Sequence, residues 1–586
     1  MIKREFTKKT TKKIIAYALA FSLSVSGFVY AYAYVSDNGA PGEPPALSAD
    51  GMPGQPPTGS GDGMPGEPPS GSGMGGPGSS SSNITWTGAT TISSDTTETD
   101  TTYSSTTADQ NALLVTGGNV TLNNITATKT GDSDGGDNCN FYGTNSAITV
   151  KDKANVTITG ANVTADATGA NGIFCYGGNG GQNGAAGDGT TVTIKDSTIT
   201  TTGNNGGGIM TTGGGTTNAY NLTINTSGTS SAAIRTDRGG GTVVVDKGTY
   251  NTTGVGSPAI YSTADITVSN ATLSSTQSEG IVIEGKNSVT LKNTDVTASN
   301  VKLNGQATNY QGVMLYQSMS GDSAEGTSSF SMTGGTFTNK NGDVFYITNT
   351  SSEINLENAT IINEDSDNVL FNVSGYSNWG TKGSNGGSAN VTASNQVLNG
   401  NVNVDDISTM TLTLNNGSTF TGAFTNQNAK QMSLKVSKDS SVTLTADSYV
   451  TSLDVAEGGK IYSNGYTLYV NGVAYTGSAL TNESAPQTTE SSVSVTSTSI
   501  TNVKSTASKK AKVTWKAVEG ADGYRITLTS GKTTKTVTVS GGKKTSTTVK
   551  KLKSKKTYKV TVQAYKVVSG KKVYSAKSSV KKVKVK

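Results

Sequence analysis

The chain has 586 residues, with 73 Gly, 6% aromatic and 15% charged residues, and no His. Without His there are no Ser-His or Cys-His catalytic pairs, no His-ligated zinc or haem, and no HExxH metalloprotease. Two Cys exclude a disulfide scaffold and a four-Cys metal site. Short runs of Val, Ile and Thr point to an all-β chain, neither a Leu-rich α/β core nor a disordered polymer.

Residues 1–33 read as a signal peptide. Six Lys and Arg precede the apolar stretch Ile14 to Tyr30, and Ala31-Tyr32-Ala33 fits a small-x-small cleavage site. A secreted or cell-surface location is therefore expected, with an uncleaved anchor as the alternative. Residues 34–84 repeat Pro-Gly-Glu-Pro-Pro and its Gln variant, which reads as a disordered spacer.

Residues 85–480 carry a repeat. A four-residue motif returns every 21 to 36 residues, with Ile148, Ile173, Ile209, Ile234, Ile260 and Ile281 at its second position. A second signature alternates apolar and Thr, as in Val120-Thr-Leu122, Val192-Thr-Ile194, Leu222-Thr-Ile224 and Ile266-Thr-Val268. A turn residue follows (Asn124, Asp196, Asn270, Asn293, Gly334, Asn358), then a third apolar point such as Val163, Ile199 or Phe337. Three short strands per cycle cannot bury their own apolar side chains. Stacked at about 4.8 Å, the cycles form a continuous core, which predicts a right-handed parallel β-helix. The body resembles the pectate-lyase-like β-helices of secreted bacterial surface proteins, and its terminal cycles are similar to those of autotransporter-type adhesins. The fold alone does not select an activity.

The position after the recurrent Ile is expected to face outward. It reads Leu114, Thr149, Phe174, Met210, Arg235, Tyr261, Val282, Met314, Phe345 and Leu370. Aromatics in such a stripe suit stacking on sugars, unless inserted loops cover it. Two insertions, Gly177 to Gly189 and Gln317 to Ser329, are candidates to wall or cover it. Arg occurs four times in the chain, and Arg235 and Arg238 flank Asp237. Phe174, Met210, Arg235, Asp237, Arg238, Tyr261 and Phe345 are thus the candidate ligand-binding set for a polysaccharide or cell-surface glycan. No catalytic residue is assigned, because no companion acids are visible on the adjoining cycles, where Thr212 and Thr263 occupy the place of Asp237.

Asp132, Asp134, Asp137 and Asn138 form an oxygen-rich loop whose spacing suits calcium, with a solvated turn as the alternative. Glu364, Asp365 and Asp367 are a weaker candidate. Cys139 and Cys175 fall on adjoining cycles; a bridge is open to them, though Cys175 occupies an inward position.

Residues 481–495 read as a linker, and 496–586 as a separate module with 24 Lys and Arg against two acids, after a body (35–495) with 16 against 38. Trp515 ends a strand, Gly523-Tyr524 opens the next, and Leu552 precedes Tyr558 by six residues. This module resembles a fibronectin type III domain, which implies Trp515 in the inter-sheet core and Tyr558 as the tyrosine corner. Its charge should seek an anionic wall polymer, not nucleic acid. The expected function is an exported, non-catalytic, adhesin-like protein with a glycan-binding face and a basic tether. Two alternatives are a calcium-dependent polysaccharide lyase of the β-helix fold and an ice-binding protein. The last needs a flat Thr-x-Thr face, and the third strand reads as too variable for one.

Overall fold

The computed structural model describes residues 84–134, 137–180, 186–303, 309–318, 320–376, 379–482, 495–531, 533–568 and 571–586. The expected signal peptide, nearly all of the expected spacer and most of the expected linker lie outside them.

The body is a parallel β-helix with three walls. The first wall holds twelve parallel strands, from Gly88–Ile92 to Asn401–Val404. The second runs from Thr96–Thr99 to Ser452–Val455. The third begins at Thr102–Ser105 and continues, beyond Thr360–Asn363, as a five-stranded sheet from Val397–Asn399 to Leu480–Thr481. Leu468–Val470 closes the stack against Ser448–Val450.

The expected Ile column is present. Ile148, Ile173, Ile209, Ile234, Ile260 and Ile281 stand in register on successive strands and are buried in one core. Each corner between second and third walls needs one left-handed residue. Asn124, Asp196, Asn270, Asn293 and Asn358 have φ of 53, 48, 57, 48 and 50°, and Gly334 has 66°. Asn and Asp tolerate that region better than β-branched residues, so the turn residues mark the corner.

Three registers differ from expectation. Leu222-Thr-Ile224 belongs to the third wall: Gly215–Thr226 runs through the corner as one strand, and its second-wall part pairs Thr217 with Val192 and Val243. The cycle at Asp343 is shifted by one residue. Val313 pairs with Phe345 and Met314 with Tyr346, so Phe345 points into the core and Tyr346 outward. Leu370 is likewise in the core.

The third wall keeps small polar side chains outward over six cycles, mixed among Thr, Asn and Ser as its variable sequence indicates. Its outward positions are Thr126 and Thr128, Asn162 and Thr164, Thr198 and Thr200, Thr223 and Asn225, Thr249 and Asn251, Thr272 and Ser274. All are exposed or half-exposed, and the next cycle brings the charged Asp295 into the same column.

The C-terminal module packs a three-stranded sheet and a five-stranded sheet around its own core. Trp515 and Tyr524 are buried there with ring centroids 5.1 Å apart. The buried Tyr558 hydroxyl accepts a hydrogen bond from the Lys553 amide at 3.0 Å, the tyrosine corner that the fibronectin type III resemblance implies.

Candidate functional site

The outward column of the first wall is buried, not bare. Phe174, Met210 and Leu114 have at most 4% exposure, and Val282 and Met314 6%. The glycan-stacking role expected of Phe174, Met210 and Phe345 therefore fails: the first two lie under covering chain and the third lies in the core. Apolar area on an outer wall is stabilised by being covered, and residues from the inter-strand loops do so. Phe174 and Met210 pack with Tyr176, Trp86 and Tyr142. Val282 and Met314 pack with Tyr316, Tyr346, Tyr261 and Trp379.

Between these two aromatic groups lie the charged residues. Arg235, in register between Met210 and Tyr261, donates to Asp237 at 3.1 Å, to Asn205 Oδ1 at 3.2 Å and to the Ser230 carbonyl at 3.1 Å. Asp237 also accepts from the Arg238 amide at 3.0 Å. Burial raises the Asp237 carboxyl from 3.8 to about 6; Arg235 opposes the rise, while Asp322 and Glu284 add to it. Arg238 turns the other way. Its Nε and Nη2 both reach Asp322 Oδ1, at 3.2 and 2.6 Å, and its guanidinium lies 4.0 Å from the centre of the Phe141 ring. Arg235 is 13% exposed and Arg238 32%, so Arg238 is the reachable cation.

The companion acid missing from the sequence reading is Glu284. It occupies the place of Asp237 two cycles on, beyond Thr263, because Tyr261 pairs with Val282 and Ser262 with Ile283. Its Oε2 accepts from the hydroxyls of Tyr261 and Tyr316, and Oε1 from those of Ser318 and Ser320. Burial, then the Glu284 charge, pushes both phenols well above their ordinary value. These bonds and Arg238–Asp322 fix the insertion after Tyr316 across the wall.

The aromatic platform comes from loops, outside the repeat. Trp86 donates to the Tyr142 carbonyl at 2.8 Å and stands 5.6 Å from the Tyr176 ring, with the Lys151 ammonium 4.0 Å over it. Phe141 ends the short helix Asn138–Phe141, and its carbonyl accepts from Thr212. Trp379 lies 4.7 Å from Tyr316 and 4.5 Å from Tyr376. Trp86, Phe141, Tyr142, Tyr261 and Trp379 remain half-exposed. Of the candidate set, the structure thus brings Arg235, Asp237, Arg238 and Tyr261 together. The signal for the others was an aromatic residue lying outside the strand pattern.

The calcium loop does not present a converging donor set. Asp132 accepts from the Thr168 amide at 2.7 Å, the Asp134 amide donates to Asp109, and the carbonyls of Asp137 and Asn138 are spent inside the short helix. The buried Lys129 ammonium, lowered by burial to about 8, already supplies positive charge to Asp109 and Asp132. Among the described residues, no three acids or thiols stand together as a metal site, at this loop or at Glu364–Asp367. Glu364 pairs with Lys340, and Asp365 accepts from the Gly342 amide. No disulfide joins Cys139 and Cys175; both are buried thiols, and Cys175, inside the core, is pushed to about 12.

Comparison with known proteins places the C-terminal module. No curated protein matches the chain. A crystal structure of chicken CNTN1 FN1-FN3 domains is similar at 24% identity and TM-score 0.14, over 16% of this chain and 33% of that one. The chain thus spans about a third of that structure's length. A structure titled as a myokine is similar at 18% identity and TM-score 0.14, over 16% of this chain and 98% of that one. The sandwich, its buried Trp515 and the Tyr558 corner agree with the matched family: residues 484–581 are a fibronectin type III domain.

Proposed function

We propose that this is an exported, adhesin-like surface protein that does not catalyse a reaction. Its β-helix binds an acidic glycan across the outer side of the first wall, and its basic module tethers it to anionic wall polymer. The observation that carries the glycan reading is the set of half-exposed aromatics around Arg238. Sugar rings stack on aromatic faces, and a planar guanidinium pairs with carboxylate. Lyase chemistry needs a base within reach of the proton and a stabiliser for the developing charge. Here Asp237 and Asp322 are the partners of Arg235 and Arg238, and Glu284, the acid two cycles on, accepts from four hydroxyls.

Affinity electrophoresis in gels containing polygalacturonate tests this. Trp86→Ala and Arg238→Ala should each lose most of the retardation that remains above the constant contribution of the basic module, with the β-rich fold retained by circular dichroism. Equal retardation of wild type and both variants sinks the glycan face. Release of ultraviolet-absorbing unsaturated oligosaccharides by the wild type would promote the lyase.

The third wall favours a second reading, ice binding. Over six cycles its outward Thr, Asn and Ser side chains repeat at about 4.8 Å between cycles and about 6.6 Å along each strand, with no charge until Asp295.

A further inference from the structure

The fibronectin type III module carries uncompensated lysine on both of its outer faces. On the three-stranded sheet, Lys504 stands directly opposite Lys512. On the other sheet, Lys559 stands directly opposite Lys582. All four are exposed, and strand alternation turns them outward, since Val513, Tyr558, Val560 and Val583 beside them are in the core. Like charges directly opposite across strands destabilise a sheet. Among the described residues no ion pair relieves them. The module's two acids are Glu519 and Asp522, Asp522 accepts from the Val567 amide, and every ion pair among the described residues lies in the body. Cross-strand repulsion of this kind is relieved when an anionic chain lies along the pair.

Lysine also indicates the class of anion. The module has a single Arg, and Arg525 is already held by Gln563 and the Tyr574 ring. Recognition then rests on ammonium point charges, which suit phosphate, with no planar fork to select carboxylate.

We infer that the module is bivalent: each lysine-lined face takes one strand of a linear phosphate polymer, so that one molecule bridges two strands. This rests on the tether reading and adds to it the number of sites and the phosphate chemistry. The test uses the full chain and linear inorganic polyphosphate. The wild type should be retained on immobilised polyphosphate and should cloud a polyphosphate solution near charge equivalence. Lys504→Ser with Lys512→Ser, and separately Lys559→Ser with Lys582→Ser, should leave retention at low salt. Each pair should lower the slope of log affinity against log salt by about 0.7–0.9 per lysine removed. Each should also abolish the clouding, as a one-faced molecule cannot bridge. Clouding by both variants at the wild-type level, or soluble one-to-one complexes of the wild type, overturns bivalency while the tether stands. No retention of the wild type at low salt overturns the tether itself.

Discussion

Ile234 tests the stacked core most directly. It is fully buried, in register between Ile209 and Ile260. Ile234→Ala removes three carbons, which at about 0.8 kcal/mol per buried CH2 costs roughly 2.4 kcal/mol of transfer energy. A cavity term adds to this, and the neighbours cannot collapse to fill the space. Backbone ladders hold the cycles above and below at a fixed spacing; the Ile234 amide, for instance, donates to the Ala259 carbonyl at 3.0 Å. The total should fall in the upper part of the usual range, about 3–5 kcal/mol. Ile234→Val should cost about 1 kcal/mol, and Ile234→Asp more than either because the carboxylate is buried unpaired. A whole-chain melt mixes this with the separately cored module, so the assay is amide hydrogen exchange in the cycles around Ile234. Three to five kcal/mol corresponds to roughly 10²- to 10³-fold faster exchange there, or somewhat more. Acceleration by less than about ten-fold, near 1.4 kcal/mol, would refute the argument that the ladder prevents collapse.

Two further predictions follow from the first and third walls. Asp237 has a raised folded value, so its favourable contribution is fullest below pH about 4 and is lost as pH rises through about 6. The difference in amide-exchange protection of the cycles around Asp237 between wild type and Asp237→Asn, corrected for intrinsic rates, should therefore shift against the wild type over that window; a pH-independent difference contradicts the burial of this carboxyl. On the third wall, the wild type should inhibit ice recrystallisation and Thr200→Lys with Thr249→Lys should not. Absence of inhibition by the wild type removes the ice reading.

The β-helix was legible in the sequence because its code is local and repeated. The Ile at one fixed place per cycle, the Val-Thr-Ile alternation and the left-handed Asn or Asp at the corner each state one requirement of the stack. The basic module was legible through its resemblance to fibronectin type III domains, carried by Trp515 and by Leu552 six residues before Tyr558. Register was not legible where a cycle gains or loses a residue. One extra position at Asp343 exchanges the roles of Phe345 and Tyr346, and a continuous strand moves Leu222 and Ile224 to another wall. The same limit hid which Thr, Asn and Ser side chains stand in one outward column, since cycles of unequal length are aligned only by their backbone ladders. The site depended on tertiary structure still more. Asp322 meets Arg238 across 84 residues, and Glu284 meets Tyr261 and Tyr316 from three different cycles. Whether the first wall's outer face is bare or covered depends on where its loops fold back. No periodicity encodes that, because loop residues answer to the wall they land on and not to their neighbours in the chain.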